Sequence, residues 1–200
     1  MVTDIIKIDG QGNGVEEALT ITEKAGQDGG LQHKETIRLR LLAEELIGIM
    51  HGIAGNIIAD FWIEQNDKTY VLHLKSNINM SRELREQFLE VSSSGTNSAA
   101  KGFMGMIRDC IAVALLPSNS GYPAVQTVPI GFMSMGNMEN IDAYLWSLQN
   151  YKENLDEKAG ENAVQAWDEL EKSIVASLAD EVTVSVVGST VEIAIFKLFH

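Results

Sequence analysis

Two acids and three glycines carry the strongest chemical signal in this sequence. Within the stretch Ile37 to Gly55, written IRLRLLAEELIGIMHGIAG, a stripe runs Glu44/Glu45, Gly48, Gly52 and Gly55. Steps of three and four residues put these on one side of a helix. A carboxylate is an acceptor and a base, and three side-chain-free positions beside it leave room for a ligand to lie against the backbone. Glycine costs roughly 1 kcal/mol against alanine inside a helix, so three of them ask for a reason. Two reasons fit: close packing of another element, or the wall of a ligand site.

The elements around this stripe follow from hydrophobic period. Ile37, Leu41, Leu42, Leu46, Ile49, Met50 and Ile53 recur at helical spacing and predict a long, mostly buried helix. Before it, Thr3 to Asp9 alternates as a short strand. A glycine turn follows at Gly10 to Gly14, and Val15 to Ala25 carries a helical stripe. The Gly-x-Gly-x-Gly run of that turn lacks the dinucleotide-binding spacing and its acidic partner, so it reads as a flexible turn. Asn56 to Glu64 and Tyr70 to Lys75 alternate on either side of Gln65–Lys68 and predict a hairpin, with His73 a half-exposed strand residue. Ser76 to Met80 is loop, Ser81 opens a helix to about Val91, and Ser92 to Ala100 is small and polar. Lys101 to Leu116 is helical and Pro117 stops it. Ser118 to Asn137 reads as loop, and Asn140–Asn150 and Glu161–Ala179 as two helices. Val164, Trp167, Leu170, Ile174 and Leu178 form the apolar face of the second of these. Glu181–Val187 and Thr190–Leu198 form a closing hairpin turned at Gly188-Ser189.

Composition narrows the function. The formal charge is −13, which opposes binding to a nucleic-acid backbone and to an anionic membrane surface. Small phosphates remain compatible, because backbone N–H groups and one or two cations suffice to hold them. Cys110 is the single cysteine, so no intrachain disulfide forms, and its apolar surroundings mark it as an inert core thiol. MVTDIIKIDG carries no signal-peptide pattern and no apolar run reaches the roughly 20 residues of a membrane span. The expectation is a cytoplasmic protein with no metal cluster of its own.

The ordered elements resemble the gyrase/histidine-kinase-like ATPase superfamily, the Bergerat fold, and most closely its anti-sigma-factor serine-kinase branch. Three stretches carry the likeness. LRLLAEELIGIM resembles the first box, where a helix brings an acid and, four residues on, an Mg²⁺-binding asparagine. Glu44 or Glu45 supplies the acid, while Gly48 or Ile49 stands where the amide is required. VLHLKSNINMSRELREQFL resembles the second box, whose aspartate reads adenine. Asn77 and Asn79 stand there instead, and an amide carbonyl can still accept that hydrogen bond. SSSGTNSAAKGFMGMIRD resembles the lid and third box, with Gly95, Lys101, Gly102 and Gly105 in the phosphate-holding role.

The resemblance implies an α+β two-layer sandwich, a mixed sheet with helices mainly on one face. One Bergerat-like domain spans residues 1–200, with a helical segment inserted at about 118–179. It implies a nucleotide-binding regulatory protein, with ATP or ADP as ligand, a regulatory protein partner and weakened Mg²⁺ dependence. The homo-oligomeric state stays open. Its family activity is ATP-dependent protein serine phosphorylation or ATP hydrolysis, weakened or lost with the eroded boxes. The competing reading is a pseudo-ATPase that acts only through protein contact. An unrelated small-molecule enzyme is disfavoured, because no Ser-His-Asp set and no metal cluster stands out.

Overall fold

The computed structural model describes residues 1–51, 58–78, 107, 111, 115, 132–134, 143–156 and 161–200. Seven strands and five helices are described: β1 (Ile6–Asp9), α1 (Val15–Asp28), α2 (His33–His51), β2 (Ile58–Asn66), β3 (Thr69–Asn77), β4 (Phe132–Ser134), β5 (Ala143–Ser147), α3 (Leu148–Asp156), α4 (Glu161–Lys172), α5 (Ile174–Leu178), β6 (Glu181–Val187) and β7 (Thr190–Leu198). The strands form one sheet in the order β1-β2-β3-β7-β6-β5-β4. The expected α+β class is what the chain adopts. Every ladder among the described residues is antiparallel, so the parallel pairing that a mixed sheet includes is not found among them. As expected, the closing hairpin pairs with itself and joins the sheet through β7 and β3.

The alternation of each strand builds one buried face. Ile6, Phe61, Leu74, Ile193, Val184 and Trp146 stand opposite one another in successive ladders. They form a row across six strands, and each is buried. A parallel row runs Ile63, Leu72, Ile195, Val182. Against this face lies α2, which buries Leu39, Leu42, Ala43, Leu46 and Ile47 and touches α1, α5, β3 and β7. The buried stripe of α2 is therefore shifted from the predicted one, and Ile37 is 44% exposed. Two turns fix the register. Asp67 (φ 52°) and Lys68 join Asn66 to Thr69, and Gly188 (φ 58°) and Ser189 join Val187 to Thr190. Both are two-residue connections whose first residue lies in the left-handed region.

Local polar contacts set where elements start. The turn after β1 is tied rather than loose: Asp9 Oδ1 accepts from the N–H groups of Gln11 (2.9 Å) and Asn13 (3.0 Å), and Oδ2 accepts from Asn13 Nδ2 (2.7 Å). Gly14 then enters α1 at φ 83°, where a Cβ would also run into the Lys7 carbonyl. At α2, Glu35 accepts from Gln32 N–H at 2.7 Å, one half of a capping box.

The described part of residues 118–179 differs from its predicted form. Asn140–Asn150 is not one helix: residues 143–147 pair with β6 as β5, and α3 starts only at Leu148. A short apolar run carries no decisive period. The boundary is set by Glu181, whose Oε1 accepts from Leu148 N–H (2.8 Å) and Gln149 N–H (3.2 Å), and by Ser147, whose Oγ accepts from Asn150 N–H. Residues 132–134, expected as loop, form β4. The expected single helix Glu161–Ala179 is broken at Ser173, whose hydroxyl accepts from Ala176 N–H and so starts α5. Of its predicted apolar face, Leu170 is buried, while Val164 and Ile174 are 61% and 42% exposed. Ala166, Val175 and Ala176 are buried in their place, and these helices share one core with the rest of the described residues. The helix expected at Ser81–Val91, the polar stretch Ser92–Ala100 and Cys110 lie outside the described residues.

Two outcomes follow. Ile193→Ala removes a side chain from the middle of the cross-sheet row and is expected to cost about 2–5 kcal/mol in urea unfolding. The side-chain hydrogen bond from Asn13, set against a smaller effect of burial and helped by the N–H groups of Asn13 and Gln11, holds the Asp9 carboxyl below its ordinary value. A lowered folded-state pKa gives stability that is fully present above about pH 4 and lost as pH falls further. Asp9→Asn should flatten that acid limb, measured by thermal unfolding at a series of acidic pH values.

Candidate functional site

The helix α2 separates Glu44 from Glu45. Arg40 donates from Nε to Glu44 Oε1 (2.9 Å) and from Nη1 to Glu23 Oε1 of α1 (2.6 Å). The hydrogen bonds Arg40 donates, to Glu23 first and to Glu44 second, raise its pKa. Glu44 is thereby committed to a bridge toward α1. Thr36, on the same side, packs against Gly26 of α1. Glu45 lies nine residues beyond Thr36, about half a turn round the axis at 3.6 residues per turn. It is half-exposed, faces away from α1, and makes no hydrogen bond or ion pair among the described residues. The single stripe inferred from sequence thus divides into a structural acid, Glu44, and an uncommitted one, Glu45.

Gly48 is exposed, and a Cβ placed on it meets nothing within 4 Å. Close packing of a neighbour, one of the two reasons for a glycine here, does not apply at this position. Gly48 and Ile49 stand four residues after Glu44 and Glu45. Neither carries an oxygen side chain, so α2 supplies no Mg²⁺ ligand where the resemblance requires one. The residues present do not fit that ion. Among the described residues no three His, Cys, Asp or Glu side chains stand close enough to share a metal.

Strand parity decides the second candidate. Along β3, Tyr70, Leu72, Leu74 and Ser76 are buried toward the helices, and Val71, His73, Lys75 and Asn77 alternate onto the other face. Asn77 is paired with Thr190 and exposed. Its side chain is therefore on the opposite side of the sheet from α2, Glu45 and Gly48. The helix side of this strand end holds Ser76, whose hydroxyl donates to Ile58 O at 2.7 Å, and buried Ile78, whose N–H donates to Ser189 O at 2.7 Å. The structure does not bring Asn77 to the helix-side site. Asn79, Gly95, Lys101, Gly102, Gly105, Gly52 and Gly55 lie outside the described residues. Of the helix predicted from Lys101, Ile107 and Ile111 are helical, and they and Leu115 are buried at four-residue spacing.

A polar cluster that sequence reasoning missed lies on the sheet face away from the helices. Trp62 and His73 are direct partners across β2 and β3, and their rings stack at 4.6 Å with planes 1° apart. Glu64 and Glu192 flank the imidazole. The signal was available: once the turn pairs Asn66 with Thr69, counting back four residues pairs Trp62 with His73.

Two cavities formed by described residues lie elsewhere. An open one of about 640 Å³ sits between Asp28–Gly29 and the β2–β3 turn, and one of about 190 Å³ sits between the N-terminal segment and α1. No candidate residue lines either. No helix among the described residues is long and apolar enough to cross a membrane. Compared with protein-family models, curated proteins and solved structures, the chain matches none.

Gly48→Ala provides a clean test of the open glycine. With no neighbour to displace, alanine should raise stability by about 0.5–1 kcal/mol through helix propensity. Urea unfolding showing a loss instead would mean that something packs on Gly48.

Proposed function

We propose that this chain is a regulatory protein of the histidine-kinase-like ATPase type, with ATP or ADP as ligand and weakened or lost phosphoryl transfer. The single observation that carries this reading is the pairing on α2 of an uncommitted acid, Glu45, with uncrowded space at Gly48. Glu45 is the residue for activating water or a hydroxyl. Gly48 lets a ligand approach the helix backbone, and the glycine-bearing segment before Ile107 supplies Lys101, Gly102 and Gly105 as phosphate holders. Without an oxygen side chain at Gly48 or Ile49, nucleotide binding depends little on Mg²⁺. A regulatory protein partner reads the nucleotide state.

A second reading is favoured by a specific observation. Asn77 faces away from α2, and Ser76 and Ile78 fill the helix side of the strand end with a satisfied hydroxyl and an apolar side chain. Among the described residues no base-reading group stands on the helix side of this strand end, which supports a pseudo-ATPase working by protein contact alone.

Calorimetry and thermal unfolding with ATP and ADP, with and without Mg²⁺, separate the two. On the first reading, nucleotide at 100 times its Kd stabilises by about 2.7 kcal/mol, and Mg²⁺ changes affinity less than about tenfold. Gly48→Leu abolishes the shift while the protein stays folded, and Glu45→Gln keeps binding but removes any residual hydrolysis. An unmoved melting temperature at millimolar nucleotide leaves the pseudo-ATPase. A larger Mg²⁺ effect would require a ligand other than α2.

A further inference from the structure

The open face of the sheet holds a buried titratable group that the proposed function does not use. His73 is only 13% exposed in its side chain, and it is enclosed by charged and aromatic neighbours from three strands. From β2, Trp62 stacks on its ring and Glu64 approaches. From β7, Glu192 Oε1 lies 3.1 Å from Nδ1. From its own strand, Lys75 pairs with Glu192 Oε2 at 3.3 Å, and Asp60 on β2 is held by Lys7 at 2.9 Å. Beyond β7, β6 contributes the uncharged Thr183 and Ser185 opposite Ala194 and Glu192.

One atom in this cluster is unsatisfied. Nε2 of His73 is sealed from solvent and has no hydrogen-bond partner among the described residues, although Glu64 Oε1 is only 3.8 Å away. The contact with Glu192 assigns the proton of a neutral imidazole to Nδ1, because a carboxylate can only accept. Nε2 then points a lone pair at a second carboxylate. Two acceptors face each other, which explains a gap in an otherwise packed cluster. Glu64 meanwhile accepts from Trp62 Nε1 at 3.5 Å, the weak limit of a hydrogen bond.

We infer that protonation of His73 at Nε2 draws the Glu64 carboxylate off the Trp62 indole and onto the imidazole, so that these three side chains form a proton-sensitive switch on the open face. A proton taken from solvent turns Nε2 from acceptor to donor. A charge-assisted bond to Glu64 then replaces the long indole contact. The imidazolium lies over the Trp62 ring at stacking distance, which adds a cation–π attraction. The exchange also changes the charge of a face whose remaining ions, Lys7 with Asp60 and Lys75 with Glu192, are already paired. It leaves the Trp62 N–H free to bond elsewhere.

Proton–nitrogen NMR of the ¹⁵N-labelled full chain tests this, following the Trp62 indole and the His73 ring from about pH 8 to about pH 5. Trp62→Phe assigns the indole among the three tryptophans. The indole resonance should move with the same midpoint as the His73 ring. His73→Gln should hold it still, and Glu64→Gln should reduce its movement to under a third, since an amide does not follow the charge. Amide dispersion checks that each variant is folded, and the wild-type titration needs no variant. An indole that stays still while His73 titrates overturns the switch. So does undiminished movement in a folded His73→Gln or Glu64→Gln protein.

Discussion

Antiparallel register decides which side of this molecule each side chain serves. The two-residue turns at Asp67-Lys68 and Gly188-Ser189 lock β2 to β3 and β6 to β7, and β3 pairs with β7 along nine residues. A slip of one residue in any of these ladders would turn every side chain of that strand to the other face. It would carry that strand's member of the row Phe61, Leu74, Ile193 and Val184 out of the core. The burial of this row is what makes the register unique, and α2 has a flat apolar surface to pack on only because of it. The same parity sends Asn77 away from α2 and brings His73 and Trp62 together on the far side.

The long helix depends on that surface for its position and on α1 for its rotation. Leu39, Leu42, Ala43, Leu46 and Ile47 bury one side. The Arg40 guanidinium, shared between Glu23 and Glu44, ties the adjacent flank to α1. These ion pairs are partly exposed and contribute little to stability. Their effect is one of address: they commit one of two neighbouring carboxylates to a neighbour and leave the other, Glu45, uncommitted beside the open backbone at Gly48.

The acidic excess of the chain, 28 Asp and Glu against 15 Lys and Arg, has a structural use beyond solvation. Among the described residues, four carboxylates accept from backbone N–H groups where the chain changes direction or starts an element. Asp9 holds the turn before α1, and Glu35 closes the start of α2. Glu181 collects Leu148, Gln149 and Val182 at the junction of β5, α3 and β6, and Asp180 accepts from Leu198 N–H. An unpaired N–H at a helix start is the natural partner of a negative charge. The acids of this protein therefore define boundaries that hydrophobic period alone leaves open.

The sequence by itself determined the strongly periodic parts: α1, the long helix, and the hairpins on either side of Gln65–Lys68 and Gly188-Ser189, whose order carried the resemblance that implied the α+β class. Those signals are local, since alternation, helical spacing and turn residues act over a few positions. Only the tertiary structure decided the rest. Residues 143–147 became a strand because β6 offered an unpaired edge and Glu181 stood ready to start α3, neither visible from an apolar run. Glu44 and Glu45 looked equivalent in the chain. They separated only when α1 came alongside and Arg40 chose one of them. Asn77 was placed by a ladder with Thr190, more than a hundred residues away, and its face follows from that pairing rather than from the motif around it. Long-range pairing and neighbouring charge assign a side chain its direction, and a local pattern carries neither.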